Sequence, residues 1–438
     1  MQRRCEGYEA MAKLLLSFML GLVMVSQLIA QESDDNPDAA AIKTEVQRLV
    51  RELDAPQLAR RNAAEQALQK IGDDALPFLP KPEEPSSPEV KQRLERLRTR
   101  IAKQSAGTKV EKQSTTDVRL GDAATLGEAL EAISRDSGIE FEHMAKAETP
   151  ITPFPSALPF WHAIDHVLDE AKLDVDFYSG DTKTIALQAR APGRPSRVDS
   201  AAYAGLYRLE PVIVTSRRIL QNMSLSSMNV EVEISWKPDA HPVGITLPLS
   251  QITAVMDDGA TVKAQQSAGT IDIAPSDEIA MSTIQLPLAL PAGAPTKITS
   301  LSGKLQSMLP GEIKPFVFAL KEGAKTLSED FVTVKLEELR KNAGLHEIRL
   351  GVEYKSPGKA MESHRGWLLG NEVYVEMPDG SRQDHLGYEL YRHNENGIGI
   401  GYLFDIGDTP GEAKLHYKTP TAVIQNEIDF VIQDIPLP

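Results

Sequence analysis

From Ile42 the apolar residues Ile42, Val46, Leu49, Val50 and Leu53 recur at the spacing of one helix face. Asp54 stands where it can cap a second helix, from about Pro56 to Ile71, which Gly72 closes. A third helix starts near Ser87-Pro88 and turns Val90, Leu94, Leu97 and Ile101 inward. Its other face carries Lys91, Arg93, Arg96, Arg98, Arg100 and Lys103, which reads as solvated surface in preference to a dock for an acidic partner. Residues 105–116 are polar and read as a linker after this helical unit of residues 42–104.

The next stretch, residues 117–190, alternates strand and helix signals in a βαβ-βαββ order. Strands are expected at 118–120, 139–141, 175–178 and 184–188. Leu126, Leu130 and Ile133 stripe one helix; Phe160, Ile164, Val167, Leu168 and Ala171 stripe the other. Residues 191–202, with Pro192, Gly193 and Pro195, read as a hinge.

Beyond the hinge the period switches to two. Val230, Val232, Ile234 and Trp236 alternate with Glu231, Glu233 and Ser235, the mark of a half-buried strand. Asp257-Asp258-Gly259 predicts a hairpin turn. Strands at 284–290, 297–301 and 316–320 complete a β-sandwich-like domain over 203–325. Val332, Val334 and Leu336 alternate as well, and strands at 348–354, 372–377, 388–391, 399–404, 415–417 and 424–432 form a second sandwich over 326–438. The fold class expected is therefore multidomain: a helical unit, a small α+β module and two antiparallel β-sandwich-like domains.

Three segments resemble known families. Residues 53–79 together with Ser87-Pro-Glu-Val-Lys-Gln-Arg-Leu94 resemble a HEAT-like helical unit of the kind found in secreted planctomycete proteins of unknown function. Such units normally stack in several copies; a lone one has to pack on another domain or serve as an adaptor. Thr125-Leu-Gly-Glu-Ala-Leu-Glu-Ala-Ile-Ser-Arg-Asp-Ser-Gly-Ile-Glu-Phe141 resembles the short N-terminal α/β module of secretins and TonB-dependent receptors. Pro159-Phe-Trp-His-Ala-Ile-Asp-His-Val-Leu168, Tyr203-Ala-Gly-Leu-Tyr-Arg-Leu209 and residues 230–262 are similar to the planctomycete proteins. The secretin and TonB-receptor resemblance implies protein–protein contact and brings no catalytic residues, and the planctomycete resemblance assigns no chemistry.

The N-terminus carries one apolar run, residues 14–29, behind Lys13 and ahead of Ala30 and an acidic stretch over 31–41 that reads as disordered. The run is shorter than the ~20 residues that span a bilayer, so it reads as a cleaved signal peptide over residues 1–30, with Met1 or Met11 as its start. Cys5, the single cysteine, lies upstream of the cut, and the mature chain then has neither disulfide nor thiol metal ligand. The formal net charge of −15 over 438 residues argues against nucleic acid as a partner.

No motif supplies a cofactor or catalytic group. His162 and His166, one turn apart beside Asp169, have the spacing of two zinc ligands. They lack a third ligand and read as a solvent-exposed, metal-free polar face. Gly397-Ile-Gly-Ile-Gly401 lacks the third glycine of a dinucleotide loop and reads as a strand whose bare face lets aromatics pack closely. Residues 346–438 hold nine of the 24 aromatics. Alternation turns Tyr374 and Tyr391 outward beside Glu376 and Glu389, and Trp367 lies in a glycine-flanked loop. Trp367, Tyr374 and Tyr391 are thus a possible ligand face, or rings covered between domains. The expectation is an exported, non-catalytic protein of the periplasm or cell surface that binds envelope or extracellular protein or polysaccharide. A polysaccharide hydrolase with a C-terminal carbohydrate-binding domain is the alternative. Edman sequencing of exported protein should start near Gln31; an intact 14–29 segment retained in the membrane would contradict signal cleavage.

Overall fold

The computed structural model describes residues 37–81, 84, 86–114, 116–142, 146–180, 183–276, 278–329, 331–342, 344–355, 365–394, 396–407 and 412–438. The signal-peptide reading, Cys5 and residues 31–36 lie outside them. Five α-helices are described, and the rest of the regular structure is mainly antiparallel strand, which makes the chain multidomain and β-rich. Among the described residues no helix is long and apolar enough to cross a membrane.

The described residues up to Ile101 and those from Ala102 onward separate into two compact units. In the first, helices α1 (Pro37–Glu52), α2 (Leu58–Ile71) and the start of α3 (Pro88–Ser114) enclose Val46, Leu49, Leu53, Leu68, Leu94, Leu97 and Ile101. Several details depart from expectation. Helix α1 begins at Pro37, so residues 37–41 are helical where disorder was expected. Asp54 caps nothing: α2 starts four residues later, and the Asp54 carboxylate accepts a hydrogen bond from Ser87 at 3.0 Å. Arg93 is buried in place of lying on a solvated face, because Glu65 at 2.8 Å and Glu89 at 3.0 Å take its guanidinium. Helix α3 also runs through most of the expected linker to Ser114, since only Gly107 interrupts a run of residues that tolerate helix. Gly72 does close α2, with a left-handed φ of 74°.

The second unit opens with the α/β module. Helices α4 (Leu126–Ser137) and α5 (Phe160–Ala171) share a core with a three-stranded sheet ordered Glu140–Glu142, Thr184–Ala189, Leu173–Gly180. Thr125 and Glu128 form a reciprocal capping box at the start of α4, which pins it where the hydrophobic stripe demands. The βαβ-βαββ order matches the alternation of periods in the sequence, with a short pairing of Asp117–Val118 to Leu158–Pro159 added.

Two pairs of packed sheets follow. In the first, Ala202–Ala204, Tyr207–Arg217, Ser227–Trp236 and Met281–Ala289 form one sheet. Met228, Val230, Val232, Ile234 and Trp236 all face inward and are at most 1% exposed. The opposing sheet is built on the long strand Lys297–Pro310, which pairs along its whole length with the C-terminal strand Val423–Pro436. The expected domain boundary is corrected here. Strand 423–436, assigned by sequence to the last domain, belongs to the first sandwich and gives it Phe430, Ile432 and Ile435. Strand Ile313–Ala319 belongs conversely to the second. The chain crosses over near Gly311 and returns after Pro420, so each sandwich contains sequence that a linear division gives to the other.

In the second sandwich the sheet Ile313–Ala319, Lys414–Pro420, Val373–Glu376, Arg382–Asp384 faces the sheet Lys325–Glu329, Val332–Asn342, Leu345–Tyr354, Gly397–Phe404, Gly387–His393. Residues 397–404 are strand, as their alternation implied. A Cβ on Gly399 would fall 2.7 Å from the Tyr391 ring, so the bare backbone there is what seats the tyrosine.

Candidate functional site

The polar face of α5 carries His162, Asp165, His166 and Asp169, and it is covered. The segment expected to be a hinge folds over it and, with the first strands of the sandwich, supplies arginines. Asp165, fully buried, accepts from Arg208 Nη1 at 2.8 Å and from the Tyr203 hydroxyl at 2.8 Å. Arg208, also fully buried, reaches Glu233 at 3.2 Å and Ser235 at 3.1 Å, and its guanidinium sits 4.7 Å above the Trp161 ring. Asp169 takes Arg190, the Ser196 hydroxyl and the backbone N–H of Val198. Asp174 takes Arg190, Arg194 and Arg197, and the last two also clasp Glu210 at 3.0 and 2.9 Å.

Desolvation pushes Asp174 and Glu210 upward, but the arginines more than offset it and both carboxyls end below their ordinary values. They stabilise the fold at neutral pH, a contribution lost as the pH falls through their lowered values. Asp165 stays above its ordinary value because burial outweighs Arg208, so it acts with the opposite sign. Every carboxylate in the cluster is held by arginine, and the arrangement joins elements; it leaves no acid free to exchange a proton with a substrate.

This cluster corrects two expectations. Residues 191–202 are a clamp instead of a flexible hinge, and the histidines are half-buried instead of exposed. The His162 ring stacks on Tyr203, centroids 4.4 Å apart and planes 2° from parallel, and desolvation lowers its pKa. His166 Nε2 lies 3.1 Å from the Thr152 carbonyl, and its ring meets Phe154 edge-on. Among the described residues no three metal-ligating side chains converge. The signal that sequence reasoning passed over was the pairing of Asp165 and Asp169 at one-turn spacing with Arg190, Arg194 and Arg197 in a turn-rich segment. By pattern alone the first reads as a polar, solvated helix face and the second as a hinge.

A groove of about 760 Å³ runs between the two sandwiches. Pro242, Pro275, Pro310, Pro420, Ile313 and Trp367 line it, together with Asn371, Glu372 and Lys418. Pro310 and Pro420 stand at the ends of the crossing strands, and Pro242 and Pro275 come from loops of the first sandwich. Lys418 Nζ lies 2.7 Å from Glu372, which also accepts from Arg382 at 2.6 Å. The hydrogen bond from Lys418, ahead of the smaller opposing desolvation, holds the Glu372 carboxyl below its ordinary value. Asn371 is fixed by donating to the Tyr417 and Thr419 hydroxyls at 2.8 and 2.9 Å. The indole Nε1 of Trp367 is buried and has no hydrogen-bond partner among the described residues.

The three aromatics do not make one face. Trp367 lies in the groove, half-buried against Tyr354. Tyr374 points outward from its sheet as alternation predicts, but it stacks on His416 at 4.7 Å and is covered by the Arg382 guanidinium at 4.2 Å. Tyr391 belongs to the opposing sheet, at a β-bulge between Leu390 and Arg392, so the simple alternation with Glu389 fails there. Its hydroxyl donates to Glu337 at 2.7 Å and its ring packs on Gly399. Outward positions on two sheets that share a core lie on opposite sides of the sandwich.

The chain matches no protein-family model, and no curated protein is similar to it.

Arg208→Met should cost about 3–5 kcal/mol, because it strands Asp165 in the interior. In an Asp165→Asn background the same change should cost far less. Denaturant melts of the four proteins measure the difference, and equal costs in both backgrounds would show that the pair carries no coupling.

Proposed function

We propose that the protein is an exported, non-catalytic binding protein of the periplasm or cell surface, and that the groove between its two sandwiches is the ligand site. The observation that carries the reading is the groove itself. It is the meeting place of two rigid domains, walled by prolines and an indole, with a fixed amide and an ion pair at one end. Concave sites with a mainly apolar wall and a few oriented polar groups are the usual form of a ligand pocket. The one carboxylate lining it among the described residues is already engaged by Lys418 and Arg382, which suits holding a ligand better than donating a proton.

In this reading the N-terminal helices act as a HEAT-like adaptor, and the α/β module serves protein contact as in the secretin and TonB-dependent receptor modules it resembles. The occupant is an extended segment of envelope protein or polysaccharide, either of which can lie along prolines and stack on Trp367.

Ile313, 54% exposed on the groove wall, and Lys418 can be changed with little loss of packing. Ile313→Ser and Lys418→Ala should each weaken retention on the envelope ligand by about 1–4 kcal/mol in pull-downs while the melting temperature holds. Tyr391→Ala should lower the melting temperature and leave retention alone. Unchanged retention in both groove variants would sink the proposal.

A further inference from the structure

One hairpin of the first sandwich projects apolar side chains into water. Strands Tyr207–Arg217 and Ser227–Trp236 pair up to Arg217 and Ser227, and residues 218–226 form the tip. Val212 and Ile213 are 41% and 52% exposed, Leu220 83%, Met223 54% and Leu225 56%. Single exposed apolar residues are ordinary, but Leu220, Met223 and Leu225, within six residues at one hairpin tip, call for a partner.

The tip is built, not frayed. The Asn222 side-chain Oδ1 accepts from the N–H and the hydroxyl of Ser224 at 3.2 and 2.7 Å, setting the turn Met223–Leu225. Ser226 accepts from the Ile219 N–H at 2.9 Å. Several polar groups of the tip are thus paired locally, while the large apolar side chains face outward. This lowers the cost of moving the tip out of water, since unpaired polar groups are what resist that transfer.

Charge then selects the partner. Residues 211–230 contain no Asp or Glu, in a chain whose formal net charge is −15, and they carry Arg217 and Arg218. Both arginines are exposed, and no ion pair engages either among the described residues. The neighbouring strand adds no charge beside the tip: Leu286, Pro287, Leu288 and Ala289 pair with residues 227–230. An otherwise acidic protein is kept off an anionic surface by repulsion everywhere except at a site cleared of acids. Guanidinium groups flanking an apolar tip match the two layers of a bilayer interface, phosphate outside and acyl chain within.

We propose that this hairpin docks the protein on an anionic lipid bilayer, with Leu220, Met223 and Leu225 entering the interface and Arg217 and Arg218 on lipid phosphates.

The single cysteine makes a site-specific test possible in the full chain. With Cys5→Ser, Met223→Cys gives a unique thiol for an environment-sensitive fluorophore, and Glu389→Cys in the second sandwich gives the control. Phosphatidylcholine vesicles with roughly 30% phosphatidylglycerol should shift emission to the blue at position 223 and leave position 389 unchanged. Pure phosphatidylcholine should have a much weaker effect. Arg217→Gln with Arg218→Gln should weaken the partition roughly 25-fold. Because the label reports the tip itself, the result does not depend on whether residues 14–29 are retained. A label at 223 that stays in water on the anionic vesicles overturns the proposal, as it would if the tip served an acidic protein instead. So does an equal shift at both labels, or an arginine variant that partitions as tightly as the parent.

Discussion

Asp165 and Arg208 are charged groups with no access to water, and such a pair tolerates very little displacement. Asp165 belongs to a helix of the α/β module and Arg208 to the first sheet of the neighbouring sandwich. Shifting one domain against the other while the junction stays closed to water would part the two charges in the interior, at a cost of several kcal/mol. The pair therefore fixes orientation more than it adds stability. Around it, Arg190, Arg194 and Arg197 bind Asp169, Asp174 and Glu210, so the connecting segment is drawn onto the junction. Trp161 packs against the Arg208 guanidinium and excludes solvent from one side.

The same principle of shared parts joins the two sandwiches. Strand Val423–Pro436 returns from the second to complete the first, and strand Ile313–Ala319 leaves the first to begin the second. Neither sandwich has its full core without sequence from both sides of the crossover. The groove forms where those crossing segments run, so its geometry is set by strands that cannot swing independently. A concave surface held in this way would lose little conformational freedom on binding a ligand, which favours affinity.

Much of this architecture was legible in the sequence because local periodicity reports which face of an element is buried. The alternation from Val230 to Trp236, the Asp257-Asp258-Gly259 turn, the two stripes of the α/β module and the strand at residues 397–404 all follow from pattern. What pattern does not carry is the identity of a partner element. The run at 424–432 reads as a strand, yet nothing local says that it pairs with residues 297–310. Charge was the other blind spot. Asp165, Asp169 and Arg93 have the spacing of solvated faces, and only tertiary covering turns them inward. Tyr391 shows a third kind of failure, because a bulge shifts the register by one residue and a two-residue period cannot anticipate it. Of the three aromatics singled out by sequence, Trp367 alone lines the groove; Asn371, Glu372 and Lys418 gave no signal, being ordinary polar residues until the fold gathers them.

The central claim is that the α/β module and both sandwiches unfold as one cooperative body. Native-state hydrogen exchange across residues 117–438 tests it most directly. Amides in Phe160–Ala171, Tyr207–Arg217 and Val423–Pro436 should share one opening free energy and one denaturant dependence. Exchange of the α/β module at a clearly lower opening free energy than the sandwich strands would contradict the claim, because the buried pair would then not bind the domains together.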